Sequence, residues 1–300
     1  MKLHQKPKTP TDLPVLKPFV VAGSKTWSME TFGTITADRR ILVAFAIFLI
    51  AWLSVDVVYA QIQSDANQSA FATLVKWTPL MFLGPPGELG GFVLNIVVSF
   101  IAMALGTFLG LWLGLGQISL NPIIRRSSWA ITQLFRNSPW LVLLFYIMLL
   151  MPFRVTIAGV DFDIPGWWKA AFALSLPIMA NISEIVRGAI ASIPTGQWES
   201  AESLAFSRTQ TIWQIILPQC VKRMLPPWMN WYCILTMSTP LVSILGVSDG
   251  MSLTQDALAA ESRSEFLIPM YLWLMSWFFI YSYPIAKLTR RLEHRFAVNE

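Results

Sequence analysis

The chain has 300 residues, 55% of them hydrophobic and only 13% charged, with a formal net charge of +5 and a mean hydropathy of +0.55. Soluble domains carry about 25% charged residues, so this composition argues against an ordinary soluble protein and divides the length into membrane spans and their connections. The basic excess needs no nucleic-acid partner, because the cytoplasmic loops of membrane proteins carry one.

Residues 1–37 hold Pro7, Pro10, Pro14 and Pro18 among lysines. No apolar stretch follows the early charges, so this reads as a flexible basic cytoplasmic tail and not a cleaved leader. A first span runs from Ile41 to Ala60 within residues 38–62, with Asp56 near its wet end. Residues 63–90 read as a non-cytoplasmic (periplasmic) loop with an interfacial piece over Phe71–Leu83 and turn chemistry in GPPGELGG. A second span, Gly91–Gly116, carries Gly106, Gly110 and Gly114 at intervals of four, a stripe on which another helix packs closely. Arg125 and Arg126 mark a cytoplasmic turn. The third span, Ser128–Phe153, contains Arg136, Asn137, Ser138 and Pro139, and the proline breaks or kinks it. Trp167 and Trp168 open the fourth, which ends near Ile190 and places Glu184 beside Arg187 as a structural ion pair.

Residues 199–218 are different in kind. ESAESLAFSRTQTIWQIILP is polar and lies between two spans; Ala201, Leu204, Ala205, Ile212, Ile215 and Ile216 recur at threes and fours. That spacing predicts a helix with one apolar stripe. Ser207 and Gln210 have the spacing of a capping box, which predicts a turn and a second short helix. A fifth span, Met224–Gly246, is interrupted by Pro226, Pro227 and Pro240 and carries Ser238, Thr239 and Ser243; residues 247–265 read as polar and outer, and a sixth span covers Phe266–Ala286. With both ends inside, all but Lys76, Arg154, Lys169 and Arg263 of the 22 Lys and Arg residues fall on the cytoplasmic side.

The catalytic signatures are missing. GSKT at 23–26 lacks the first glycine of a P-loop, and neither HExxH nor GxSxG occurs. Cys220 and Cys233 are in no ligand spacing, and His4 and His294 sit in polar tails. An enzyme and a metal site are not expected.

The spacing Glu199-Ser200-Ala201, three residues, Ala205, nine residues, Ile215-Ile216-Leu217-Pro218 resembles the EAA loop of bacterial ABC-importer permeases. The wording around it, EIVRGAIASIPTGQWES and LPQCVKRMLPPWMN, is similar to the polar amino acid (histidine, glutamine and arginine type) branch, and the resemblance covers about residues 90–295. RNSP resembles that family's R-G/N-x-P signature. STPLVS resembles its K-D-T-S-L-V-S segment, with Met237, Ser238 and Pro240 as departures. Ala205 stands where the family has glycine; if a left-handed backbone is needed there, alanine costs about 1–2 kcal/mol.

The resemblance implies an all-α integral membrane protein with six transmembrane helices: a five-helix type I importer core over 91–290, one additional N-terminal helix, and a cytoplasmic tail at 291–300. It implies an inner-membrane permease subunit that imports polar amino acids or similar compounds. Its partners would be a dimer of ATPase subunits holding ATP and magnesium, a second permease subunit and a periplasmic binding protein. Glu199, Ser200, Ala201, Ala205, Ser207, Leu217 and Pro218 would form the ATPase-coupling loop. Arg136, Asn137, Ser138, Pro139, Ser238, Thr239, Pro240 and Ser243 would lie along a candidate translocation path. The alternatives are the same architecture serving an opine, a compatible solute or a small peptide, and an ion-coupled secondary transporter.

Overall fold

The computed structural model describes residues 70–157 and 160–296; the tail over 1–37 and the expected first span with Asp56 lie outside them. The helices are α1 (Ala70–Leu83), α2 (Gly91–Gln117), α3 (Pro122–Arg136), α4 (Trp140–Leu150), α5 (Gly166–Ala191), α6 (Thr195–Ser203), α7 (Leu217–Ser238), α8 (Gly250–Glu261) and α9 (Leu267–Phe296).

At the centre stands α5, whose apolar window is 83% buried, against 44% for that of α2 and 33% for the span Ser264–Glu293. α2 lies along it in the most extensive pairing of the described residues. The cause is the glycine stripe. A Cβ added at Gly106 would stand 2.5 Å from Ile178, one at Gly110 2.7 Å from the Met179 carbonyl oxygen, and one at Gly114 2.7 Å from Val186. Only hydrogen at these three positions lets the two backbones approach so closely.

Among the described residues, three helices are by themselves long and apolar enough to cross a membrane, and α3 with α4 adds a bent pair with an angle of 104°. The expected third span is therefore two helices. Pro139 has no N–H to donate and N-caps α4, while Asn137 caps α3. Arg125 and Arg126 lie inside α3 and not in a turn. The helix at the expected fifth span, α7, begins earlier than expected, at Leu217, and is not among the helices just counted. Lys222 and Arg223 in its first half keep it from reading as one uniformly apolar segment.

Two regions expected as loops contain helices. α1 packs on α2, α8 and α9, with Leu74 buried among Ala257, Phe266 and Met270. Gly84, Gly87 and Gly91 turn the chain after it with positive φ; at Gly91 a side chain would meet the Met81 carbonyl oxygen at 2.7 Å. α8 begins at Asp249, whose carboxylate accepts from the Ser252 N–H at 2.9 Å. Between α4 and α5 the chain forms a two-stranded antiparallel hairpin, β1 (Arg154–Ile157) and β2 (Val160–Asp163), with Arg154 opposite Asp163. Arg154 Nε donates to Asp163 Oδ1 at 2.8 Å. Lys169 is fully buried; its ammonium donates to the Met151 carbonyl at 3.0 Å and lies 3.2 Å from the centre of the Phe153 ring.

Candidate functional site

The loop after α5 is built from two opposed helix ends with almost nothing between them. α6 stops at Leu204. The Phe206 N–H donates to the Ala201 carbonyl at 3.1 Å and the Ala205 N–H to the Glu202 carbonyl at 2.9 Å. This is a Schellman stop, and it requires a left-handed residue after the cap. Ala205 supplies it with φ 57°, one of two non-glycine residues with positive φ among the described residues. The turn does need left-handed backbone, so the alanine is strained.

The next helix starts at once. The Gln210 N–H donates to Ser207 Oγ at 3.3 Å, and the Ser207 N–H donates to Gln210 Oε1 at 2.9 Å: the reciprocal capping box that the spacing predicted. Arg208–Gln210 then passes into a π-helical stretch, Thr211–Ile216, before α7. The Leu217 N–H donates to the Ile212 carbonyl, five residues back. That wider turn gives the Pro218 ring room from the preceding carbonyls.

Two arginines fasten the loop to the bundle. Arg208 Nη2 donates to the Ile118 carbonyl at the C-cap of α2, at 3.0 Å. Arg223 Nη1 donates to the Ser192 carbonyl and to Ser192 Oγ at the C-cap of α5, both at 2.7 Å. Each places a cation on unpaired carbonyls at the negative end of a helix dipole. Ala201, Ile216 and Leu217 are buried, while Glu199, Ser200, Glu202, Ala205, Ser207 and Pro218 are exposed. Leu204 departs from the predicted stripe: as the C-cap of α6 it points outward and is 71% exposed. Among the described residues neither glutamate of the loop has a basic partner at salt-bridge distance.

Glu184 takes Arg187 Nη2 at 2.7 Å and also lies 3.9 Å from Arg136 Nη1. It thus joins the ion pair to the RNSP break. Beneath it Gln117 Nε2 donates to Thr132 Oγ1 at 3.1 Å and to Ser183 Oγ at 3.2 Å, tying α2, α3 and α5 together. Asn137 donates back to the Gln133 carbonyl at 2.7 Å, and Ser138 to that of Leu134 at 2.7 Å.

After Ser238 the chain tightens into a 3-10 segment, Thr239–Leu245, against which α4 packs. Ser238 and Ser243 donate to their own helical carbonyls, Ile234 at 2.8 Å and Pro240 at 2.7 Å. Thr239 is buried and accepts from Asn95 Nδ2 at 3.1 Å. That amide also donates to Asp249 Oδ2 at 2.9 Å, and Asn95 Oδ1 accepts the Gly250 N–H at 2.9 Å. This buried knot of α2, the 3-10 segment and α8 escaped the sequence reading. Its one local signal is the Asp249-x-x-Ser252 cap spacing. Cys220 and Cys233 are buried free thiols, and among the described residues no group of three His, Cys, Asp or Glu side chains is placed to hold a metal.

Residues 106–283 match the family model described as "Binding-protein-dependent transport system inner membrane component". A probable amino-acid ABC transporter permease of Sinorhizobium fredii, y4tF, is 32% identical over 168 residues, 56% of this chain and 70% of the relative. A probable glutamine ABC transporter permease of Bacillus subtilis, GlnP, is 28% identical over 205 residues, 68% of this chain and 91% of the relative. In fold, the chain is similar to a subunit in the crystal structure of an amino acid ABC transporter with histidines. The TM-score is 0.62 at 24% identity, over 75% of this chain and 98% of that one.

Proposed function

The chain belongs to the family of inner-membrane components of binding-protein-dependent transport systems, and from that premise we propose that it carries polar amino acids or amino-acid-like compounds into the cell. It is a multi-pass inner-membrane protein and a non-catalytic subunit; in this family ATP hydrolysis belongs to a separate ATPase, and a binding protein presents the solute. The amino-acid reading is supported by its relatives, a probable amino-acid and a probable glutamine ABC transporter permease among them. Two permease subunits enclose the path. A pair of ATPase subunits, holding ATP and magnesium, grips the Glu199–Pro218 loops on the cytoplasmic side, where both termini also lie.

The observation that carries the docking role is the loop's construction. A turn locked by a Schellman stop and a capping box presents Glu199, Ser200, Glu202 and Leu204 to solvent, while Arg208 and Arg223 bolt its base to two helix ends. ATP-driven closure of the ATPase pair moves both loops, and the bundle passes from inward-open to outward-open through contacts that differ between the two states.

The test is reconstitution of the chain with its partner ATPase and binding protein in vesicles. ATP hydrolysis is expected to rise when loaded binding protein is added, with uptake of a polar amino acid. Glu199→Lys abolishes both while leaving the amount of protein in the membrane unchanged. Uptake that persists with ATP depleted and an ion gradient intact overturns the reading, as does wild-type uptake by the Glu199→Lys variant.

A further inference from the structure

An apolar cavity of about 550 Å³ runs between α7 and α9. Its wall includes Cys233 and Met237 on α7 and Tyr271, Met275, Ser282 and Ala286 on α9. The α9 positions share one helical face. From Tyr271 to Ala286 that face extends about 22 Å along the axis, more than half of a hydrocarbon core about 30 Å thick.

Two features distinguish this cavity from bare lipid-facing helix. Ser282 is 9% exposed, and its buried hydroxyl, on the cavity wall, has no hydrogen-bond partner. A buried hydroxyl left alone is costly, so an acceptor belongs there. Beyond the end of the cavity come Lys287 and Arg290, each four residues after a lining residue, Tyr283 or Ala286. Among the described residues neither cation has a carboxylate within salt-bridge distance. They lie about 8–12 Å along the axis from Ser282.

A greasy slot, one hydroxyl seeking an acceptor and two free cations at the mouth match one molecule in order of depth. We propose that the cavity is a binding site for an anionic diacyl phospholipid. An acyl chain fills the slot beside Met275, a glycerol ester carbonyl accepts from Ser282, and the charged headgroup meets Lys287 and Arg290. Basic groups at the cytoplasmic ends of transmembrane helices recognise such headgroups. A polar solute finds a wall of mainly apolar side chains with only the hydroxyls of Ser282, Tyr271 and Tyr283 among them, and an apolar helix of a second copy answers neither the Ser282 hydroxyl nor the cations.

The experiment titrates the full chain in neutral detergent with dioleoyl phosphatidylglycerol and, separately, dioleoyl phosphatidylcholine, reading bound lipid by native mass spectrometry. Phosphatidylglycerol is expected to be retained about tenfold or more over phosphatidylcholine, two cations at about fivefold each exceeding that. Lys287→Gln and Arg290→Gln each weaken phosphatidylglycerol about fivefold and leave phosphatidylcholine unchanged; Ser282→Ala weakens both lipids alike, since both carry the ester. Equal retention of the two lipids by the unaltered chain overturns the proposal without recourse to a variant. Cross-linking between two copies through Met275→Cys overturns it as well, because the slot then holds protein.

Discussion

Ala205 holds a backbone conformation that costs an L-residue about 1–2 kcal/mol, and it does so where the geometry of the α6 stop leaves no other choice. Ala205→Gly removes that strain, while glycine's extra freedom in the unfolded chain offsets part of the gain. The expected net effect is a rise in stability of about 1 kcal/mol with uptake unaltered, read as a higher midpoint of thermal unfolding; a clear loss of transport would show that the methyl group is itself used. Asp249 is the second residue under tension. Burial pushes its carboxyl up from the ordinary value, against the opposing hydrogen bonds from Ser252 and Asn95. A carboxyl whose folded pKa exceeds its unfolded one is held better when protonated, so its contribution to stability declines as pH rises from about 4 through the folded value. Asp249→Asn sets an amide donor against the Asn95 donor and is expected to cost about 1–3 kcal/mol at neutral pH. The part of the stability profile that falls with rising pH and belongs to Asp249 disappears with it, which unfolding midpoints across a pH series would reveal.

The pairing of α2 with α5 shows what the sequence could and could not carry at the level of elements. Three glycines at intervals of four announced a close contact, since that spacing puts them on one face regardless of context; that the face meets Ile178, Met179 and Val186 depends on the whole bundle. Gly110→Ala forces a methyl group to 2.7 Å from a backbone oxygen. It should cost about 1–3 kcal/mol as an overpacked contact, whereas Gly188→Ala, with nothing within 4 Å of its new Cβ, should leave the unfolding midpoint unmoved or slightly raised. The capping box at Ser207 was legible for the same reason as the glycine stripe: both partners lie within four residues. The extent of α1 was legible as the apolar piece over Phe71–Leu83, but its packing was not, nor was α8, because their apolar residues face neighbours brought by distant parts of the chain, Leu74 meeting Phe266 and Met270. Leu204 was assigned to the wrong side because periodicity assumes that the helix continues, and here it ends.

For the molecule as a whole, the arginine contacts were the part least visible in the residues. Arg208 meets Ile118 across 90 positions, and only the folded topology brings the two together. Orientation is open to a direct check: with Ser200→Cys, an impermeant maleimide is expected to label inverted vesicles and spare intact cells, and labelling from outside would sink the docking role. The fastening of the loop has a mechanical corollary. Force applied at Leu204 cannot be absorbed locally, because Arg208 and Arg223 deliver it to the ends of α2 and α5, and those two rods interlock at three glycines with no slack between them. They are expected to swing as a single stiff beam. The give then falls to the joints where the backbone ladder is already interrupted, the elbow at Pro139 and the tightened coil at Thr239–Leu245.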